Sequence, residues 1–290
     1  MGNINNLKLA QRGAYLSLVV YIILSVVKLY VGVVYGSSAV FADGWNNTTD
    51  IFVSIAVLIG LKISIKPPDE NHPYGHLKSE NIAALLVSFI IMFVGVQIIL
   101  DSIPKMINNE YSTPNTVTIY VSIISGLIML VVYMINARLA KETKSSSLKS
   151  AAADNMSDSF VSLGTGAGLI LTQFGMPVLD VIIACILGVL ITYTGFKIFK
   201  EAVFTLTDGF DDEDLMEYKE DVLEVKGVKD VKSIKGRYHG SSIFLDVTII
   251  VDADITVTEA HHICDEVEKD MHYKGVSSLY VHPEPYIEKE

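Results

Sequence analysis

Ala42-Asp43-Gly44-Trp45-Asn46-Asn47-Thr48-Thr49-Asp50, followed by an apolar run, has a counterpart far along the chain. The counterpart is Ala152-Ala153-Asp154-Asn155-Met156-Ser157-Asp158, and an apolar run comes after it too. Asn46 and Asp50 stand four residues apart, as do Asp154 and Asp158. On a helix that spacing puts each pair on one face, one turn apart. Both stretches sit at the head of runs long and apolar enough to lie in a bilayer. An ionised carboxylate there costs roughly 2.5–3.5 kcal/mol even on a mild insertion scale. Three carboxylates and a carboxamide in such a place need a common partner, and a divalent cation supplies one.

The rest of the chain fits a membrane protein with a soluble tail. It has 290 residues, half of them hydrophobic. The apolar residues fall in long runs before about Phe204, and charges crowd the remainder of the chain. We therefore expect a transmembrane domain over 1–207 and a soluble domain over 208–290. A net charge of -11 argues against nucleic acid as a partner. The acidic run Asp208, Asp211, Asp212, Glu213 and Asp214 reads as a solvated linker and helix start. Cys185 lies in an apolar run and Cys264 in the tail, so no disulfide framework is implied. The first apolar stretch lacks a small-residue cleavage site and reads as a retained span, not a signal peptide.

Six spans are expected, at about 14–34, 39–63, 80–106, 116–139, 150–173 and 178–199. Gly36-Ser37-Ser38 makes a short turn between the first two. Pro104 and the segment Asn108 to Asn115 are expected to break the third span, and a basic, serine-rich connection with Arg138, Lys141, Lys144 and Lys149 to join the fourth and fifth. Lys8, Arg12, Lys62, Lys66, Lys78, these four residues, Lys197 and Lys200 flank one side, while Lys105 is nearly alone on the other. By the positive-inside rule both termini are cytoplasmic. In the tail, 212–225 reads as an amphipathic helix, 228–234 and 242–251 as strands, 256–271 as a helix capped by Thr256 or Thr258, and 276–281 as a closing strand. That order, αββαβ, gives a small α+β domain of ferredoxin-like type.

The donor set bears on the metal. Asn46, Asp50, Asp154 and Asp158 offer only oxygen, which suits manganese, magnesium and calcium better than zinc or copper. Magnesium sheds water reluctantly, and calcium wants more ligands than four side chains readily supply. Manganese(II) is the best compromise, with iron(II) next. Asp43 suits the first turn of the second span, where a carboxylate meets the helix dipole. Asn47 points about a hundred degrees away from Asn46 and is not expected to share the site.

The six spans, the paired polar residues on the second and fifth of them, and the αββαβ tail resemble the cation diffusion facilitator family. The similarity covers nearly the whole chain. Its most specific motifs are Ala42 to Asp50, Asp69-x-x-His72-x-x-x-His76 and Asp154-x-x-x-Asp158. Zinc-transporting members commonly carry histidine at the place of Asp154 or Asn46, so the quartet here looks like the manganese-exporting branch. The resemblance also implies a second metal site, for zinc or manganese, at Asp69, His72 and His76. A third, in the tail, would use His261, His282 and Glu284. Two further histidines of that third site are replaced here by Lys229 and Thr248, with Asp246 and His239 as candidate substitutes. Lys78 and Asp208 match a pair that interlocks membrane and soluble domains in a homodimer.

These readings converge on a divalent cation exporter, a manganese(II)/proton antiporter in a bacterial plasma membrane. Three carboxylates crowded in a low-dielectric bundle cannot all stay ionised, so an empty site holds protons and an arriving metal displaces them. The alternatives are a zinc(II) or iron(II) exporter of the same family, a membrane-bound metal sensor, or a cation channel. No phosphate loop or hydrolytic triad stands out, so an enzyme is not expected.

Overall fold

The computed structural model describes residues 2–64, 66–111, 113–143, 146–240 and 242–286. Lys144, one member of the basic flank, lies outside them. The chain divides into two compact units, Met1–Ala56 with Leu86–Lys197, and Val57–Leu85 with Ile198–Glu290.

Six long helices come first: α1 (Gly2–Val34), α2 (Ser38–Ser64), α3 (Ser79–Ile107), α4 (Thr116–Thr143), α5 (Ser146–Thr172) and α6 (Val178–Leu206). The shortest have 27 residues, about 40 Å at 1.5 Å per residue, which exceeds a hydrocarbon core of about 30 Å. Four of them hold stretches apolar enough to cross a membrane: Arg12–Val34 in α1, and α3, α4 and α6. Helices α2 and α5, whose first halves are rich in Asp, Asn, Ser and Thr, are not among those four stretches of the described residues. These are the two helices that carry the quartet.

Three expectations need correction. Pro104 does not break α3, which ends at Ile107, one residue past its expected end and just before 108–115. Near a C-terminus a proline removes one backbone hydrogen bond and little else remains to be disrupted. The basic connection is largely helical, with α4 running past Arg138 and Lys141 and α5 already under way at Lys149. Lysine and arginine are good helix formers, and these ends are long enough to leave the apolar layer. Asp43 is not in the first turn of α2, which begins at Ser38 and carries no acidic residue there. The carboxylate that meets those backbone N–H groups is Asp180 of α6. It accepts from Ser37 Oγ at 2.6 Å, Ser38 N at 2.7 Å and Ala39 N at 3.1 Å.

Within the first unit, α4 packs along α5 and α1. Tyr21 and Leu24 of α1 bury against Met129 of α4. Val31, Ala39, Val40, Ile119 and Leu169 form a second apolar cluster. Helices α3 and α6 meet through glycines. A Cβ on Gly95 would stand 2.8 Å from the Gly188 carbonyl oxygen, so only glycine permits that approach.

The tail is α7 (Asp212–Glu224), β1 (Asp230–His239), β2 (Ser242–Val251), α8 (Val257–Tyr273) and β3 (Val276–Pro285), in the expected αββαβ order. The sheet order is β1-β2-β3, with β1 antiparallel and β3 parallel to β2. Alternate residues of β2, namely Leu245, Val247, Ile249 and Val251, are buried against Val222 of α7 and Cys264, Val267 and Met271 of α8. One face of the sheet is thus covered by both helices. Thr256 caps α8 with a reciprocal capping box to Glu259. Strands β1 and β3 run about five and four residues beyond their expected ends. The additions, 235–239 and 282–285, lack apolar alternation and are held by backbone pairing to β2, a contact side-chain patterning does not report.

Candidate metal centre

Helices α2 and α5 bring one member of each predicted pair into contact. Asn46 Nδ2 donates to Asp158 Oδ1 at 2.9 Å. The other oxygen of Asp158 accepts from Tyr21 of α1 at 2.6 Å, and the same hydroxyl lies 3.1 Å from Asn155 Oδ1. Asn155 in turn donates to Ser17 at 3.0 Å. Asp158 is therefore buried and oriented from three helices, α1, α2 and α5 itself.

Asp50 lies one turn along α2 from Asn46, and its Oδ2 is shielded from solvent with no hydrogen-bond partner. A buried carboxylate oxygen with nothing to accept from is costly and marks a place prepared for a proton or a cation. Asp154 stands one turn before Asp158 and is exposed. Asp50, Asp154 and Asp158 do not close to within 4.8 Å of one another as a set. Within the quartet, the bond from Asn46 to Asp158 is thus the contact that joins α2 to α5.

Residues beside the quartet carry chemistry that sequence reasoning missed. Lys28 of α1 is fully buried, 2.9 Å from Asp43 Oδ2. It also donates to Asn47 Oδ1 at 2.7 Å and to Ser162 Oγ at 2.8 Å. Asp43 pairs with this ammonium and not, as expected, with the helix dipole. Asn47 faces α1, away from Asp158. A lone lysine inside an apolar span was the available signal for Lys28.

The loop residues gather closely. Asp69 Oδ1 lies 3.0 Å from His72 Nδ1, Asp69 Oδ2 lies 3.5 Å from His76 Nε2, and the two rings are 4.2 Å apart. Among the described residues this is the one group of three His, Cys, Asp or Glu side chains whose ligand atoms all fall within 4.8 Å. Asp69 accepts from the backbone N–H groups of Asn71 and His72, which folds the loop into a turn. The hydrogen bond from the His72 ring, together with those backbone bonds, holds the Asp69 carboxyl below its usual range. His76 is the least exposed of the three, and its Nδ1 is buried without a partner.

In the tail the predicted ligands stay apart within one chain. His261 is exposed on α8, 3.8 Å from Asp265. His282 and Glu284 lie opposite Thr248 and Ile250 on β2, and Glu284 is taken by Lys232 at 2.6 Å. Neither candidate substitute is free: Asp246 is bonded to Arg237 at 2.7 Å, and His239 stacks on Phe244 at 4.5 Å. Lys78 and Asp208 do meet, at 2.7 Å, and that bond holds the Asp208 carboxyl below its usual range. Asp208 adopts a left-handed backbone, φ 60°, just past the end of α6.

Comparison with known proteins agrees with this architecture. Residues 14–207 match the family profile described as the cation efflux transmembrane domain, and residues 210–286 match that of the cation efflux protein, cytoplasmic domain. The chain belongs to the cation efflux, or cation diffusion facilitator, family and is an integral membrane transporter that exports metal cations. It is 44% identical to the manganese efflux system protein MneS of Bacillus subtilis (strain 168), over the full length of both chains. The manganese efflux system protein MneP of the same organism is 30% identical, over 97% of this chain and 98% of its own. The magnetosome protein MamM of Paramagnetospirillum magneticum is 31% identical, over 93% and 86%.

Proposed function

We propose that the protein exports manganese(II) in exchange for protons, and that Asn46, Asp50, Asp154 and Asp158 hold the ion between α2 and α5. The observation that carries this is the Asn46–Asp158 bond across the two helices with the unpartnered, shielded oxygen of Asp50 one turn away. Asp154, exposed one turn before Asp158, completes the set when metal binds. The donors are oxygens alone, which favours a hard ion, and two similar proteins carry manganese efflux in their names. Carboxylates ligate a metal only when deprotonated, so loading releases protons and unloading takes them up.

Both termini face the cytoplasm of a bacterial plasma membrane, with residues 1–207 as the transport domain and 208–290 as the cytoplasmic domain. The exposure of Asp154, on the side of the α4–α5 connection, supports loading from that side. The tail dimerises, with Lys78–Asp208 as the hinge pair. Asp69, His72 and His76 take zinc or manganese as a peripheral site. No ion is assigned to His261, His282 and Glu284. Purified protein in sealed vesicles tests the proposal. Manganese flux should saturate with concentration and rise with an imposed pH gradient, and zinc should compete weakly. Flux that ignores the gradient overturns the proton coupling, and transport of zinc alone overturns the metal.

A further inference from the structure

Lys28 lies within Arg12–Val34, a stretch apolar enough to span a bilayer, and is fully buried there. Its ammonium donates to Asn47 Oδ1 at 2.7 Å and Ser162 Oγ at 2.8 Å and forms an ion pair with Asp43 Oδ2 at 2.9 Å. Asp43 and Asn47 belong to α2, Ser162 to α5, and Ser162 Oγ lies 3.3 Å from Asp43 Oδ1. One side chain of α1 thereby ties together the two helices that carry the proposed metal ligands.

The position of this tie relative to those ligands gives it a direction. Asp43 precedes Asn46 by three residues, and Ser162 comes four after Asp158. As numbers fall along α2 they rise along α5, so the helices are antiparallel and both offsets point the same way, toward the α1–α2 turn. Beyond the tie, Val40 and Leu169 are fully buried in an apolar cluster. On the opposite side of the ligands Asp154 is exposed. The ligand layer is open at one end and shut at the other by a buried, paired cation.

A metal ion moving toward the α1–α2 turn meets the positive charge of Lys28. It passes only if α2 and α5 part, and parting them takes from Lys28 at least one of its three partners. We propose that Lys28, held by Asp43, is the release-side gate of the transporter, a fixed cation that bars a divalent ion until the two helices separate. This rests on the assignment of the metal ligands to α2 and α5. Lys28 is a positioning residue and ligates nothing.

Cysteine accessibility tests the gate independently of transport. In full-length protein with Cys185 and Cys264 replaced by alanine, Val40→Cys or Leu169→Cys places a thiol just beyond the gate, and Ile91→Cys places a control thiol in α3. The paired neutral change Lys28→Met with Asp43→Asn removes the lock without stranding a buried charge. If it raises the open state from about 1% to about 10% of molecules, a charged thiol reagent labels positions 40 and 169 about tenfold faster while position 91 keeps its rate. Ser162→Ala, which keeps the ion pair, should give a smaller increase and serves if the neutral pair does not fold. Unchanged labelling at 40 and 169, or an equal rise at 91, overturns the gate. Manganese flux on the same proteins separates the two readings. Labelling that responds where the parent moves no manganese sinks the transport reading alone, and intact flux with unresponsive labelling sinks the gate alone.

Discussion

Asp158→Ala is the most discriminating change. The substitution removes the acceptor of two hydrogen bonds, from Tyr21 at 2.6 Å and from Asn46 at 2.9 Å. Tyr21 keeps Asn155 at 3.1 Å as an alternative, while the Asn46 amide loses its partner. The cost to the fold is about 1–3 kcal/mol, offset in part because a buried charge has also gone. The cost to metal binding is larger. A doubly charged ion and a carboxylate about 4 Å apart at an effective dielectric of about 20 attract by about 8 kcal/mol. If a returning water recovers half, about 4 kcal/mol is lost, close to a thousandfold in affinity. Trp45, the single tryptophan, neighbours Asn46 and reports binding by its fluorescence. Manganese resistance in a bacterium lacking its own exporter reports function. The variant should stay folded, bind manganese about a thousandfold more weakly and protect no better than an empty vector. Binding within about tenfold of the parent, a loss of only about 1.4 kcal/mol, would refute Asp158 as a ligand.

His76→Ala should remove one bound zinc or manganese per chain in a metal titration and leave vesicle transport running, since that loop is peripheral to the ion path. Thr256→Ala deletes the capping box of α8 at a cost of about 1 kcal/mol, so amide exchange along that helix should quicken roughly fivefold in the full chain. Asp208 has a folded pKa held below its unfolded value by Lys78, so its contribution is present above about pH 4 and fades as pH falls through the folded value. Both partners are partly exposed, so the effect stays under about 1 kcal/mol. Unfolding curves of the parent and Asp208→Asn should differ above about pH 4 and converge as pH falls from there through the lower folded value.

Much of this molecule was legible in its sequence, for identifiable reasons. The six helices arise from runs of apolar residues whose length is set by bilayer thickness, and the tail from alternation on β2 and a capping box at Thr256. The i, i+4 spacing of Asn46 with Asp50 and of Asp154 with Asp158 is a local property, so the faces they share could be read directly. The cluster of Asp69, His72 and His76 also lies within a few residues of chain, and the loop closes it locally.

The residues alone determined whatever a helix period, a turn or a membrane's thickness dictates within a short segment. Only the tertiary structure decided which distant groups meet. Lys28 pairs with Asp43, Asp180 caps α2 from α6, and Tyr21 holds Asp158, while His261 stays apart from His282. Each buried polar group in an apolar bundle must find a partner, and helix packing, not sequence spacing, settles which one is within reach.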